Sequence, residues 1–230
     1  MTPKQWRSKL HPELRKRAYI KGKRPRLHGD PIVYLNHPFM HDNNGFHYRE
    51  HTPDQVNEWF EKIKQRAADY RSAKDWMKYM VCHERPYRIE AFYAVQEEMT
   101  DREYWSTLGL IWTDSENIFQ YRGFWMFALM SPRPEREYIM SEEDRAVFNA
   151  LPKRFTVYRG CNHLNEDGFS WTLKREVAEW FIGYNAKLDL ERGKRVEAGV
   201  IERVVEKSDC IAYFGERKEE EILTIAGDRK

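Results

Sequence analysis

The apolar residues of this chain change their period once, near Pro152, and that change limits the folds open to it. Before it, Val56, Trp59, Phe60, Ile63 and Ala67 recur at three-and-four spacing, one face of a helix that must bury itself. Thr52-Pro53-Asp54-Gln55 just ahead has the form of a capping box with Pro at the first helical position. Thr100-Asp101-Arg102-Glu103 is a second such box. Ser141 followed by Glu142, Glu143 and Asp144 sets a cap and acids at the start of a further helix, where the dipole favours them. Ile118 to Met130 is apolar nearly all round, which predicts a buried helix stopped by Pro132 and Pro134. Trp76, Met77, Tyr79 and Met80 read as core. Beyond Pro152, Phe155 to Tyr158, Val196 to Val205, Cys210 to Phe214 and Glu220 to Ile225 read as strands. Leu173, Val177, Ala178 and Phe181 mark one short helix between them. Helices first and strands after is the segregated order of an α+β protein.

With 8 Trp, 13 Tyr and 12 Phe, the 230 residues can bury a core despite a polar average, which excludes disorder along the whole length. No apolar run approaches the ~20 residues that span a bilayer, and the N-terminus lacks the apolar centre of a signal peptide. Cys82, Cys161 and Cys210 are odd in number and widely spaced, which suits a reducing compartment. A cytoplasmic protein without a membrane partner is expected. The net charge of +2 hides an asymmetry, since residues 1–26 hold ten Lys/Arg against Glu13 alone. Such a basic stretch is either a solvated terminus or a contact for phosphate backbones or an acidic partner. Pro12 to Ile20 within it has the pattern of a short helix, and Lys21 to Arg26 resists one because of Gly22 and Pro25. The expected division is a basic arm over 1–26, a mainly helical section over 27–150 packed on the catalytic part, and a catalytic core over 151–230.

Residues 27–52 read as loop and short strand, with Asn43-Asn44-Gly45 as a turn. His37, His41, His47 and His51 fall there near Asp42 and Glu50. No Cys-x-x-Cys or His-Glu-x-x-His accompanies them, so no metal is assigned. Gly22-Lys23 lacks the glycine spacing and following hydroxyl of a phosphate loop.

Three features of the last section matter together. Val157-Tyr158-Arg159-Gly160 ends a predicted strand with an arginine. Phe169-Ser170-Trp171-Thr172 sets a hydroxyl pair around an aromatic just before a helix. Glu219-Glu220-Glu221-Ile222-Leu223 opens the last strand with acids. Taken singly, these are a surface ion pair, an N-cap by Thr172 and a solvated edge. Strand alternation puts Glu219 and Glu221 on one face and Glu220 on the other. Two carboxylates beside an arginine and a hydroxyl suit the breaking of a glycosidic bond to a cationic leaving group. A guanidinium holds phosphate there, and a carboxylate stabilises the oxocarbenium-like centre.

Arg, then Ser-x-Thr before a helix, then Glu-x-Glu before apolar residues resembles the arginine–serine–glutamate class of mono-ADP-ribosyltransferases, over residues 154–226. The resemblance implies a split β-sandwich that takes NAD as co-substrate. It implies that Arg159, with Gly160 beside it, holds NAD through a phosphate and the nicotinamide-side ribose. Ser170 would keep the arginine and glutamate strands in register, with Trp171 and Thr172 in the same motif. Glu221 would bond the ribose 2′-hydroxyl and stabilise the oxocarbenium ion, and Glu219 would position or deprotonate the acceptor. Tyr213 to Lys218 occupies the place of the acceptor-recognition turn, where Tyr213 or Phe214 could stack on the acceptor.

By family analogy the glutamate two residues before the catalytic one implies a nitrogen acceptor such as a protein arginine. The basic stretch, with Trp6 and Tyr19, points equally to an RNA or DNA base, or to an acidic antitoxin or inhibitor protein. A toxin or phage-related effector is the context such an activity fits. The alternatives are an NAD glycohydrolase, with water as acceptor, and a non-enzymatic nucleic-acid-binding protein.

Overall fold

A computed structural model of the chain describes residues 2–21, 32–41, 51–115, 118–162, 165–191, 198–216 and 218–225. The Asn43-Asn44-Gly45 turn, residues 22–26, His47 and Arg217 lie outside the described residues. The chain is a mixed α+β protein in two compact units, one of residues 1–97 with 114–116 and the other of 98–113 with 117–230. The division expected near 150 therefore falls near 97. The reason is that the helices after 98 make their contacts with each other and with the C-terminal strands.

The first unit carries α1 (Pro3–Ser8), α2 (Pro12–Arg17), β1 (Ala18–Lys21), β2 (Ile32–His37), β3 (Met40–His41), α3 (Pro53–Ser72), α4 (Trp76–Val81) and α5 (Arg88–Tyr93). Residues 2–21 of the basic stretch are folded into this unit. Trp6, Leu10, Leu14 and Ala18 recur every four residues and bury themselves with Val33, Leu35, Val56 and Phe60. Asn57 of α3 clasps the α1–α2 corner, accepting from the His11 N–H at 2.7 Å and donating to the Lys9 carbonyl at 3.0 Å. The Trp6 indole N–H donates to the His51 carbonyl at 2.7 Å. The Thr52 capping box opens α3, and its stripe buries Val56, Phe60 and Ala67 while Trp59 stays 38% exposed. Strands β1, β2 and β3 form a small antiparallel sheet in that order.

The second unit carries α6 (Asp101–Thr113), α7 (Arg122–Leu129), α8 (Glu142–Ala150), β4 (Arg154–Asn162), β5 (Ser170–Thr172), α9 (Arg175–Glu191), β6 (Ala198–Glu206), β7 (Cys210–Phe214) and β8 (Glu221–Thr224). Its five strands form one antiparallel sheet in the order β6-β4-β5-β8-β7. Helix α9 crosses β4 at Gly160, where an added Cβ would stand 2.0 Å from the Ala178 carbonyl oxygen. Only glycine lets the two backbones meet so closely. All five residues of β7 are buried, although it is an edge strand, because α8 and residues 136–139 cover it.

Two expectations change here. Ile118 to Met130 is a 3-10 turn over Ile118–Tyr121 followed by the shorter α7. Its outer side leaves Phe119, Phe127 and Met130 at 66%, 70% and 63% exposure, and Trp125, Ala128 and Leu129 alone face inward. The helix after Thr172 is longer than expected and starts at Arg175. Among the described residues no helix is long and apolar enough to cross a membrane.

Candidate functional site

The sheet of the second unit makes neighbours of three segments that are far apart in sequence. β4, β5 and β8 lie side by side, and Tyr158, Thr172 and Glu221 stand opposite one another in a single row. Residues paired in this way share a face. Arg159 follows Tyr158 by one position, so its Cβ leaves β4 toward the other face. It does not end the strand, because Gly160, Cys161 and Asn162 go on pairing with β6.

The Arg159 side chain turns over the segment that leads into β5. Its Nε donates to the Asn165 carbonyl at 3.0 Å, and its Nη1 donates to the Ser170 carbonyl. Gly168 forms the floor beneath, where an added Cβ would lie 2.0 Å from Nη2 and 2.2 Å from Cζ. Burial pushes the guanidinium below its ordinary pKa, while the charges of Cys161, Asp167 and Glu221 oppose that fall and Arg122 adds to it. Arg122 of α7 holds the same segment from outside. It donates to the Asp167 carbonyl at 2.9 Å, pairs with its carboxylate at 2.9 Å and lies 4.5 Å over the Phe169 ring. Two guanidiniums thus gather on one short segment, Arg159 bonded to its backbone and Arg122 to its backbone and the Asp167 carboxylate.

The Glu221 half of the site is built on a turn tied to the end of β5. Thr172 Oγ1 donates to the Glu219 carbonyl, the Leu173 N–H donates to the Glu220 carbonyl at 3.1 Å, and Lys174 Nζ pairs with the Glu220 carboxylate at 2.7 Å. Lys218 and Glu220 take φ of 58° and 46°, left-handed values that cost a non-glycine residue about 1 kcal/mol or more unless the surroundings enforce them. Glu220 in that conformation starts β8 at Glu221, so Glu219 lies in the turn. The expectation that strand alternation sets Glu219 beside Glu221 is corrected accordingly. The Glu221 carboxylate accepts from the Trp112 indole N–H of α6 at 3.2 Å.

The other expected residues take structural places. Thr172 is buried at the end of β5 and accepts from the Lys174 N–H at 3.0 Å. It closes a turn and does not cap α9, whose first residue is Arg175. Ser170 faces Leu223 across β5 and β8 and offers its carbonyl to Arg159, which ties the arginine and glutamate strands through backbone. Trp171 is buried against Ile222, donates to the Gly168 carbonyl at 3.0 Å and carries Arg203 4.5 Å over its ring. Gly160 serves the packing of α9. Tyr213 and Phe214 are both buried in β7, and the Tyr213 N–H donates to the Met140 sulfur at 3.3 Å. The turn toward Glu221 begins one residue later, where the Gly215 N–H donates to the buried Asp144 carboxylate at 2.9 Å.

In the first unit, His37 is a buried ring that accepts from the Phe39 N–H at 3.2 Å, and burial pushes its pKa down to about 4. Among the described residues no three His, Cys, Asp or Glu side chains gather as a metal site.

No family model, no curated protein and no solved structure matches this chain. Trp112, Arg122, Asp167 and Gly168 were not legible as site residues from sequence. They reach the site through tertiary packing, and only the chain order Arg159, Ser170, Glu221 carries a local signal.

Proposed function

We propose that the second unit is a NAD-dependent mono-ADP-ribosyltransferase of the arginine–serine–glutamate class, built on an ADP-ribosyltransferase-like sheet. The observation that carries this reading is the adjacency of β4, β5 and β8 with Tyr158, Thr172 and Glu221 in one row. It sets Arg159, Ser170 and Glu221 on three neighbouring strands, which supports the reading.

In this reading Arg159 binds a phosphate of NAD, with Arg122 steadying the segment beside it. The bond from ribose C1′ to the nicotinamide nitrogen breaks, and its electron pair leaves with neutral nicotinamide. Positive charge develops at C1′ and the ring oxygen, and the Glu221 carboxylate stabilises it. An acceptor nucleophile then bonds to C1′ and loses its proton to Glu219 or to water. The acceptor is a nucleic-acid base or a protein arginine. The ten cations of residues 1–26 supply attraction for a phosphate backbone or an acidic protein surface. An effector held in check by an inhibitor protein fits such an activity.

One observation favours the glycohydrolase as second reading. Glu219, the acceptor-handling residue in the transferase, sits in the turn ahead of β8. The test is to incubate the protein with adenylate-labelled NAD, alone and with RNA, single-stranded DNA or lysate protein. Label on one class of macromolecule names the acceptor. Nicotinamide release with label only in free ADP-ribose establishes the glycohydrolase. Absence of both, with strongly salt-dependent binding to nucleic acid, leaves the non-enzymatic reading.

A further inference from the structure

We infer that Trp112 is a positioning residue for Glu221, its indole N–H holding the carboxylate in place at the start of β8. This rests on the transferase reading above and adds to it a residue from the helical section that the sequence motif does not include.

The inference starts from the bond itself. The Trp112 indole N–H reaches Glu221 Oε1 at 3.2 Å across 109 positions of chain. An indole nitrogen can only donate, so it is complementary to an ionised carboxylate. Trp112 is 4% exposed, and its ring meets Trp125 edge to face at 5.2 Å. The helix that carries it is anchored three further times. The Tyr104 hydroxyl donates to the Ala128 carbonyl at 2.9 Å, and the Trp105 N–H donates to the Pro134 carbonyl at 2.8 Å. Gly109, one turn before Trp112, abuts the Ile139 backbone so closely that a Cβ would lie 2.0 Å from its carbonyl oxygen.

Glu221 by contrast follows directly on a turn with two left-handed non-glycine residues. Its backbone is held between Thr172 of β5 and Phe214 of β7. The carboxylate at the first position of β8 is thus met by a donor fixed on an anchored helix, which is how a reacting group is held within a fraction of an ångström of its working position.

The test uses Trp112→Phe, which keeps an aromatic ring against Trp125 and removes the N–H, beside Trp125→Phe, which loses bulk at the same contact and keeps it. Steady-state nicotinamide release is measured together with thermal melting and the 15N-indole resonance of Trp112. Trp112→Phe is expected to lower kcat about tenfold, the worth of one hydrogen bond to a charged group, with KM for NAD within twofold. Trp125→Phe is expected to leave kcat within twofold. The Trp112 indole resonance is expected to move in Glu221→Gln and to stay in Glu219→Gln. A folded Trp112→Phe with wild-type kcat, or with KM alone changed, overturns the inference, as does an indole resonance indifferent to Glu221→Gln. A wild type that releases no nicotinamide overturns the transferase reading and the role with it. The indole resonance separates the two failures, because it reports the contact without turnover.

Discussion

Gly168→Ala should disable the Arg159 guanidinium while leaving the sheet of the second unit intact. The added methyl would lie 2.0 Å from Nη2, 2.2 Å from Cζ and 2.8 Å from Nη1, against an ordinary contact of about 3.5 Å. The guanidinium must therefore withdraw by roughly 1.5 Å, which takes it out of reach of the Ser170 carbonyl and strains its bond to Asn165. A charge-assisted hydrogen bond is worth about 1.5–3 kcal/mol, so the same displacement at a phosphate costs about ten- to hundredfold in kcat/KM for NAD. The moving atoms are the end of a side chain, so the cost to stability stays near ~1–2 kcal/mol, a few degrees in Tm. Gly160→Ala sets the scale from the other side. There the new methyl meets the Ala178 backbone oxygen at 2.0 Å, α9 has to part from β4, and a loss of roughly 3 kcal/mol or more is expected. Gly199→Ala, with nothing within 4 Å of the new atom, should change neither quantity. The assay is nicotinamide release over a range of NAD concentrations, paired with a thermal melt of each variant. A Gly168→Ala protein with native Tm and wild-type kcat/KM would refute the placement of Arg159 or its part in binding NAD.

Three further outcomes are expected. Thr172→Val removes the hydroxyl that joins Glu219 and Lys174, so nicotinamide release should fall about tenfold and Thr172→Ser should restore most of it. Trp6→Ala should cost the first unit about 3–5 kcal/mol in denaturant unfolding, since the ring is fully buried and bonded to His51. His37 is depressed to about 4 from 6.5 when folded. Below pH ~6.5 the unfolded chain takes up a proton that the folded one refuses, so up to ~3 kcal/mol of stability is lost between pH 6.5 and 4. His37→Asn, titrated in parallel by chemical denaturation, should flatten that slope.

The parts of the fold legible in the sequence are those whose causes are local. The capping boxes at Thr52 and Thr100 and the cap at Ser141 form as read, because each closes within three residues. β7 runs over Cys210–Phe214 as its apolar run predicts. What failed depends on partners distant in sequence. The apolar run 118–130 does not show which residues find a neighbour, and Phe119 and Phe127 find none that covers them. The start of β8 is fixed by the φ of Glu220, which no alternation rule contains. The fourfold spacing of Trp6, Leu10, Leu14 and Ala18 was present throughout, but the charge of the same segment masked it. At the candidate site, the order of Arg159, the hydroxyl pair and Glu221 could be read, whereas Trp112 and Arg122 come from helices whose sequences say nothing of β8 or β5.

Nicotinamide release from NAD by the wild type and by Glu221→Gln, each shown to be folded, bears on the proposed chemistry without any intermediate assumption. The wild type should release nicotinamide, and Glu221→Gln should fall by about a hundredfold or more while NAD binding changes by only a few-fold. Equal release by the two proteins, or none from either, would contradict the assignment of Glu221 and the transferase reading built on it.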